Sequence, residues 1–192
     1  MKAFFEWAVR EQYVEENPLT DFKKRKAQPR IVDLAEENLQ KLMVLPNQAT
    51  FAGLRDFALL MFTLDTGIRP KEAISLKKED FDFKRFAVTV PADVSKTRTA
   101  RTLPLLPPTV EAIHKLLKVR HLSWSSSLPV FCSSEGMGLS HSTWRHRLDE
   151  YGEKLGTKIR PHDCGMLLPC FICVMVVMRL DYRKHLVTLI LA

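Results

Sequence analysis

The strongest periodic pattern in the chain lies between residues 51 and 65, where apolar side chains recur every three or four positions. The positions with this spacing are Leu54, Phe57, Ala58, Met61, Phe62 and the polar Asp65. This period is typical of an amphipathic helix. Gly67 can then adopt the left-handed conformation that ends a helix, and Pro70 suits the first turn of another. The pattern therefore predicts helices at 51–65 and 70–78, joined by a sharp junction.

Similar spacing predicts further helices on both sides of this junction. They are expected at residues 2–14, 108–122 and 141–155. The first should stop at Asn17-Pro18, because the residue before a proline disfavours helical geometry. Asp33, with Glu36 three positions later, forms a capping-box pattern before the apolar run LQKLMVL, so another helix is predicted to begin there.

Two short runs rich in β-forming residues follow the predicted junction. The first is FDFKRFAVTV at residues 81–90, and the second is TARTLPL at residues 99–105, with a polar turn between them. Two such runs joined by a short polar segment predict an antiparallel pairing. We therefore expect an α+β fold that is mainly helical and contains one small antiparallel β-sheet.

The composition divides the chain into four segments. Residues 1–17 hold the first helix, 18–31 form a basic linker, 32–163 form the main domain, and 164–192 form an apolar tail that contains three cysteines. The basic side chains at the centre of the linker are Lys23, Lys24, Arg25 and Lys26. They are equally well explained as a solvated connector and as contacts to phosphate groups.

The charge balance narrows the class of partner. The chain has 29 Lys and Arg against 22 Asp and Glu, a net charge of +7, which favours a polyanion such as nucleic acid. Neither of the glycine-rich loops that cradle nucleotide phosphates is present, and the spacing of His and Cys matches no structural zinc site. Up to residue 163 the only cysteine is Cys132, which fits a reducing cytoplasm without a disulfide framework. We predict neither a secretory signal nor a membrane span.

Three basic side chains lie at helix ends or in a turn, where they could contribute to binding or catalysis. Arg69 lies at the helix junction with Glu72 three residues later, Lys96 lies in the predicted hairpin turn, and His162 follows a proline at the opening of a predicted helix. Arg98 and Arg101 flank Lys96. Taken alone, each feature is better explained by a structural role than by catalysis. Arg69 and Glu72 would form a surface ion pair, Lys96 would lie at a solvated hairpin tip, and His162 would cap a helix.

The order of the three motifs is more informative than any one of them. TGIRPKEAISL, then SKT in a basic hairpin, then PHD resembles the tyrosine recombinase, or phage integrase, family. That family carries Gly-Leu/Ile-Arg-x-x-Glu, a hairpin lysine, an H-x-L-R box, a later L-G-H segment and a tyrosine. The resemblance spans residues 1–163 and implies that Arg69, Lys96 and His162 are catalytic. It also implies that 1–17 is the last helix of a core-binding domain and 32–163 an incomplete catalytic domain.

The resemblance implies a reaction on double-stranded DNA, in which strands are cleaved and rejoined through a phosphotyrosine link. Two arginines would stabilise charge on the phosphate, the lysine would protonate the leaving oxygen, and the histidine would assist proton transfer. No metal or cofactor is implied. The family acts as a tetramer on two duplexes. The linker cations, Arg98 and Arg101 are expected to contact DNA.

The pattern departs from the family directly after Asp163. The chain reads Cys164-Gly165-Met166 where Leu-Arg-His is expected, so Gly165 occupies the position of the second arginine. We interpret the tail as the product of a one-base deletion, because a shifted frame permits Leu-Arg-His followed by an L-G-H box. The coding sequence tests this hypothesis, which fails if no single-base insertion restores those motifs.

The chain contains Tyr13, Tyr151 and Tyr182, and none matches the position of the family's nucleophile. The first two lie in predicted helices, where packing or surface roles are expected, and Tyr182 lies in the aberrant tail. The sequence thus leaves three alternatives. The chain is a recombinase fragment, an inactive module that still binds DNA, or a product without function.

Overall fold

The computed structural model describes residues 1–21 and 36–166. The chain divides into two compact units, residues 1–31 and 32–192. The linker cations Lys23–Lys26, the predicted cap Asp33 and the tail from residue 167 onward lie outside the described residues.

The first unit contains helix α1, Lys2–Arg10, which is shorter than the predicted 2–14. The chain turns at Gln12, whose φ is 62°, and the Tyr13 amide bonds back to the Ala8 carbonyl at 2.9 Å. The turn brings the Tyr13 ring to 5.6 Å from the Trp7 ring. Tyr13 has helical spacing in the sequence, but it reaches the helix by this reversal and not by continuing it.

The second unit is built around helix α3, Phe51–Thr66, which follows helix α2, Glu36–Val44. The hydroxyl of Thr50 caps α3 by accepting the Gly53 amide at 3.1 Å. Gly67 ends it with φ 63°, which confirms the predicted junction.

Helix α4, Pro70–Ala73, begins at the predicted proline but is shorter than the predicted 70–78. After Ala73 the last turn tightens, because the Ser75 amide bonds to the Glu72 carbonyl at 3.1 Å and the Leu76 amide to the Ala73 carbonyl at 3.4 Å, three residues back instead of four. The Leu76 carbonyl accepts the Val130 amide at 2.8 Å, and the Leu76 side chain is fully buried. A short 3-10 helix, Lys78–Asp80, follows. Ala73 is also fully buried.

The three strands of the sheet lie in the order β1, β2, β3 and are antiparallel. They are β1, Phe81–Asp82, β2, Ala87–Val90, and β3, Arg101–Pro104. The first predicted run is therefore two strands, divided by a turn at Phe86, whose φ is 52°. Val88 and Val90 point into the core, and Thr89 on the other face lies 3.2 Å from the Thr102 hydroxyl.

The remaining helices are α5, Pro107–Lys118, α6, His141–Leu155, and α7, Pro161–Met166. Helix α6 has the predicted bounds, and α5 ends four residues before the predicted 122. Helix α5 packs along α3, and the Asp65 carboxylate of α3 accepts the Leu106 amide at 2.8 Å at the start of α5. Burial raises the pKa of Asp65, and the hydrogen bond from Leu106 opposes that rise. The observed α+β architecture is the one that the sequence predicts.

The helices that the structure describes include none with both the length and the apolar character needed to cross a lipid bilayer.

Replacing Gly53 with alanine is expected to lower the free energy of unfolding by about 1–3 kcal/mol. An added Cβ would lie 2.1 Å from the backbone oxygen of Asn47, so the loop before α3 would have to move. Urea denaturation measures the effect. The matched control is Gly138→Ala, where no atom lies within 4 Å of the added carbon. Equal stability of the two variants would show that the Asn47 loop yields without cost.

Candidate functional site

Three basic residues from two parts of the chain meet on one buried carboxylate, that of Glu72. Its side chain is only 2% exposed. Oε1 accepts the Lys96 backbone amide at 3.1 Å and lies 3.4 Å from Nη1 of Arg69. Oε2 lies 2.5 Å from Nη2 of Arg101. The carboxylate therefore joins the helix junction to the hairpin.

The helix junction positions Arg69 and Glu72 through local geometry. Arg69 is the N-cap residue of α4, with extended backbone (φ −65°, ψ 136°), and Pro70 opens the helix behind it. Ile68 and Pro70 are buried on either side of Arg69, whose own side chain is 44% exposed. Glu72 follows in the first turn of α4. The guanidinium of Arg69 is thus held at the surface above a buried acid.

The loop at residues 91–100 joins β2 to β3 and carries Lys96. The Ser95 amide bonds to the Pro91 carbonyl at 2.9 Å, and the Arg98 amide bonds to the Ser95 carbonyl at 3.0 Å. Ser95 is buried, whereas Lys96 is exposed. The loop is therefore fixed through its backbone while the Lys96 side chain is exposed to solvent, and Lys96 lies between two strands, the position predicted from the sequence.

The ionisation of Glu72 depends on these contacts. Burial is the largest single influence and favours the protonated form, but hydrogen bonds from Arg101 and the Lys96 amide, together with nearby positive charge, outweigh it. The positive charges of Arg101 and Arg69 act in the same direction, so the pKa of Glu72 is lowered. Glu72 is consequently a carboxylate at neutral pH and can hold its cationic partners.

His162 is the second residue of α7 and is exposed, which agrees with its predicted place at the opening of a helix. It is one of several groups that affect the pKa of His141, the first residue of α6. Burial is the largest cause that lowers the pKa of His141, and the remaining causes are the positive charges of Lys71, His162 and Arg145. Basic groups from α4, α6 and α7 therefore lie within electrostatic range of one imidazole.

Arg98 and Arg101, both predicted to contact DNA, lie in different surroundings. Arg98 is exposed at the hairpin tip with φ 55°. Arg101 is half-buried and pairs with Glu72. From the sequence, only Arg69 was identified as a partner of Glu72. Arg101 lies 29 positions from Glu72, and motif spacing cannot reveal a contact over that separation.

Tyr151 is buried on α6 and has a packing role, one of the two roles expected from the sequence. Its hydroxyl donates to Oδ2 of Asp56 at 2.8 Å and accepts from Nη2 of Arg147 at 3.0 Å. Burial raises the pKa of Tyr151 to about 12, and the Asp56 carboxylate acts in the same direction. The phenol is thus enclosed by two charged side chains. Tyr182 lies outside the described residues.

Comparison with known proteins identifies the family of the chain. The model of the phage integrase family matches residues 33–164. The chain belongs to the phage integrase family. Its similarity to tyrosine recombinase XerC of Bacillus pumilus is 35% identity over 99 residues, 51% of this chain and 32% of that protein. XerA of Pyrococcus furiosus is 32% identical over 133 residues, 67% of this chain and 43% of XerA.

Solved structures show the same fold. The Tn1549 transposon integrase in complex with a circular intermediate DNA has a TM-score of 0.67 at 17% identity, over 87% of this chain and 62% of the integrase. The crystal structure of XerA recombinase has a TM-score of 0.63 at 18% identity, over 86% of this chain and 65% of XerA. Sequence relatives such as XerD of Shewanella oneidensis are longer, and the chain spans 55% of that protein.

Proposed function

We propose that this chain binds double-stranded DNA, and that Arg69, Lys96 and His162 contact a backbone phosphate. The observation that carries the proposal is the shared carboxylate of Glu72, which holds Arg69 and the Lys96 loop together in a member of the phage integrase family. Both cationic groups remain exposed. The site of action is the cytoplasm, where the buried thiol of Cys132 would stay reduced.

The chemistry of the site suits a phosphodiester. A guanidinium donates two hydrogen bonds to non-bridging oxygens and stabilises the charge that grows there during displacement. The Lys96 ammonium can donate a proton to a leaving oxygen, and the His162 imidazole can assist proton transfer. These are the roles that DNA strand cleavage and rejoining require of an arginine, a lysine and a histidine.

We further propose that the chain binds DNA without cleaving it. Gly165 has no side chain to supply the second guanidinium of a clamp, and Tyr151 is enclosed by Asp56 and Arg147. Loss of one member of a cooperating catalytic set costs orders of magnitude in rate. The chain would then be a DNA-binding relative of the recombinases and not an active one.

A nicked suicide duplex, incubated with the full chain, tests both parts. We expect a salt-sensitive complex on native gels, because phosphate contacts release counterions on binding. We expect no covalent adduct on denaturing gels. A covalent adduct would show that a tyrosine of this chain attacks phosphate, contrary to the second part. Absence of any complex at low salt would refute the first part, and circular dichroism would establish that the protein is folded in that experiment.

A further inference from the structure

Arg101 holds the Glu72 carboxylate far more closely than Arg69 does. Its Nη2 lies 2.5 Å from Oε2, and its Nη1 lies 3.5 Å from Oε1 and 3.2 Å from the Ser95 hydroxyl. Arg69 makes one contact of 3.4 Å. The side chain of Arg101 is 31% exposed, against 44% for Arg69. Arg101 is thus the main ion-pair partner of Glu72, and Arg69 is a weaker one.

We propose that Arg101 is a positioning residue: it neutralises Glu72, fixes the Lys96 loop, and thereby leaves the Arg69 guanidinium free for phosphate. This inference deepens the proposed function and rests on it for the contact with DNA. It differs from the expectation that Arg101 itself binds DNA, because it assigns the guanidinium of Arg101 to Glu72 and Ser95.

The physical reason is that an unpaired buried carboxylate carries a large free-energy penalty. It therefore pairs with any cationic side chain close enough to contact it. An arginine satisfies a carboxylate best through a forked, two-point contact. With Arg101 present, that contact is occupied. Without Arg101, Arg69 is the remaining guanidinium beside Glu72. The Arg69 guanidinium would then pair with Glu72 and would no longer be available to a phosphate.

Arg101 also restrains the loop that carries Lys96. Ser95 precedes Lys96, its hydroxyl accepts from Arg101, and it is 4% exposed. The Lys96 amide donates to the same carboxylate oxygen that Arg101 approaches. Loss of Arg101 would therefore loosen two consecutive residues of the loop, while β2 and β3 remain paired through their backbone bonds.

The first experiment needs no DNA. The Lys96 amide proton, observed by NMR in the isotopically labelled full chain, should report protonation of Glu72 as the pH falls. In Arg101→Gln the midpoint should move to higher pH, because the hydrogen bond and charge that lower the pKa of Glu72 are lost. Arg85→Gln, at the opposite end of β2, should leave the midpoint unchanged. An unchanged midpoint in Arg101→Gln would overturn the proposal.

The second experiment measures DNA affinity of the full chain. Arg101→Gln should weaken binding by about tenfold, the effect of losing one charge-assisted hydrogen bond. Adding Glu72→Gln to that variant should restore most of the affinity, because a neutral amide no longer captures Arg69. If the double variant binds as weakly as Arg101→Gln, capture of Arg69 by Glu72 is not the cause of the loss and the proposal is wrong.

Arg101→Lys provides a folded control if Arg101→Gln is unstable, since a single ammonium cannot span Glu72 and Ser95 together and should give an intermediate midpoint. A midpoint identical to that of the unmodified chain would contradict the forked contact. If the unmodified chain fails to bind DNA, the proposed function fails, while the amide titration still decides whether Arg101 neutralises Glu72.

Discussion

Replacing Arg69 with alanine is expected to weaken the binding of double-stranded DNA by about 10- to 100-fold. A hydrogen bond to a charged group is worth about 1.5–3 kcal/mol, and each ~1.4 kcal/mol is a factor of ten. The guanidinium stands at the surface with one long contact to Glu72, so it has donors available for a phosphate. A fluorescence titration over a range of salt concentrations measures both the affinity and its salt dependence.

The control for this measurement is Arg85→Ala. Arg85 is 85% exposed in the turn between β1 and β2, away from the Glu72 site, and pairs only loosely with Asp82 at 3.7 Å. The two variants lose the same charge, so a general effect of net charge would weaken both equally. Equal losses would mean that Arg69 contributes only to a diffuse positive surface, and the assignment of a phosphate contact would fail.

The largest expected effect on stability comes from Asp56, whose side chain is fully buried on α3. Oδ1 accepts from Nε and Nη2 of Arg55 at 2.9 and 2.6 Å. Oδ2 accepts from Nε of Arg147 at 2.9 Å and from the Tyr151 hydroxyl at 2.8 Å. Asp56→Ala leaves a buried guanidinium without its counterion, so the free energy of unfolding should fall by about 3–5 kcal/mol.

Chemical denaturation followed by circular dichroism measures this loss. Asp149→Ala on α6 is the matched control, because its carboxylate pairs with Arg145 at 3.8 Å on the surface. Exposed ion pairs of this kind contribute about 0–1 kcal/mol. A cost for Asp56→Ala no greater than that for Asp149→Ala would show that water or rearranged partners replace the buried network.

The sequence determined the parts of the protein that depend on neighbouring residues. The junction before Arg69 follows from Gly67, which accepts a positive φ, and from Pro70, which fixes the first turn of a helix. Helix α6 has its predicted bounds because Ser140 caps its start and Gly156 ends it with φ 65°. Each of these effects acts within one or two helical turns, so it can be predicted from a short stretch of sequence.

The order of the arginine, lysine and histidine motifs, together with the excess of basic residues, was also sufficient to indicate the family. What the sequence could not show is how those motifs meet. The helical pattern continues to residue 78, yet α4 ends at Ala73, and the Leu76 carbonyl then accepts the amide of Val130, a residue far along the chain. Local helical propensity gave way to the tertiary packing that fully buries Leu76.

Only the tertiary structure assigned partners to the charged side chains. Asp56 meets Arg147 and Tyr151 across 91 and 95 positions of sequence, and Glu72 meets Arg101 across 29. No periodicity links such pairs, because the distance between them in space is set by how α3, α4, α6 and the sheet pack around the apolar core. Charge pairing in a buried site is decided by that packing, since burial makes an unpaired carboxylate costly and leaves only the cations within reach as partners.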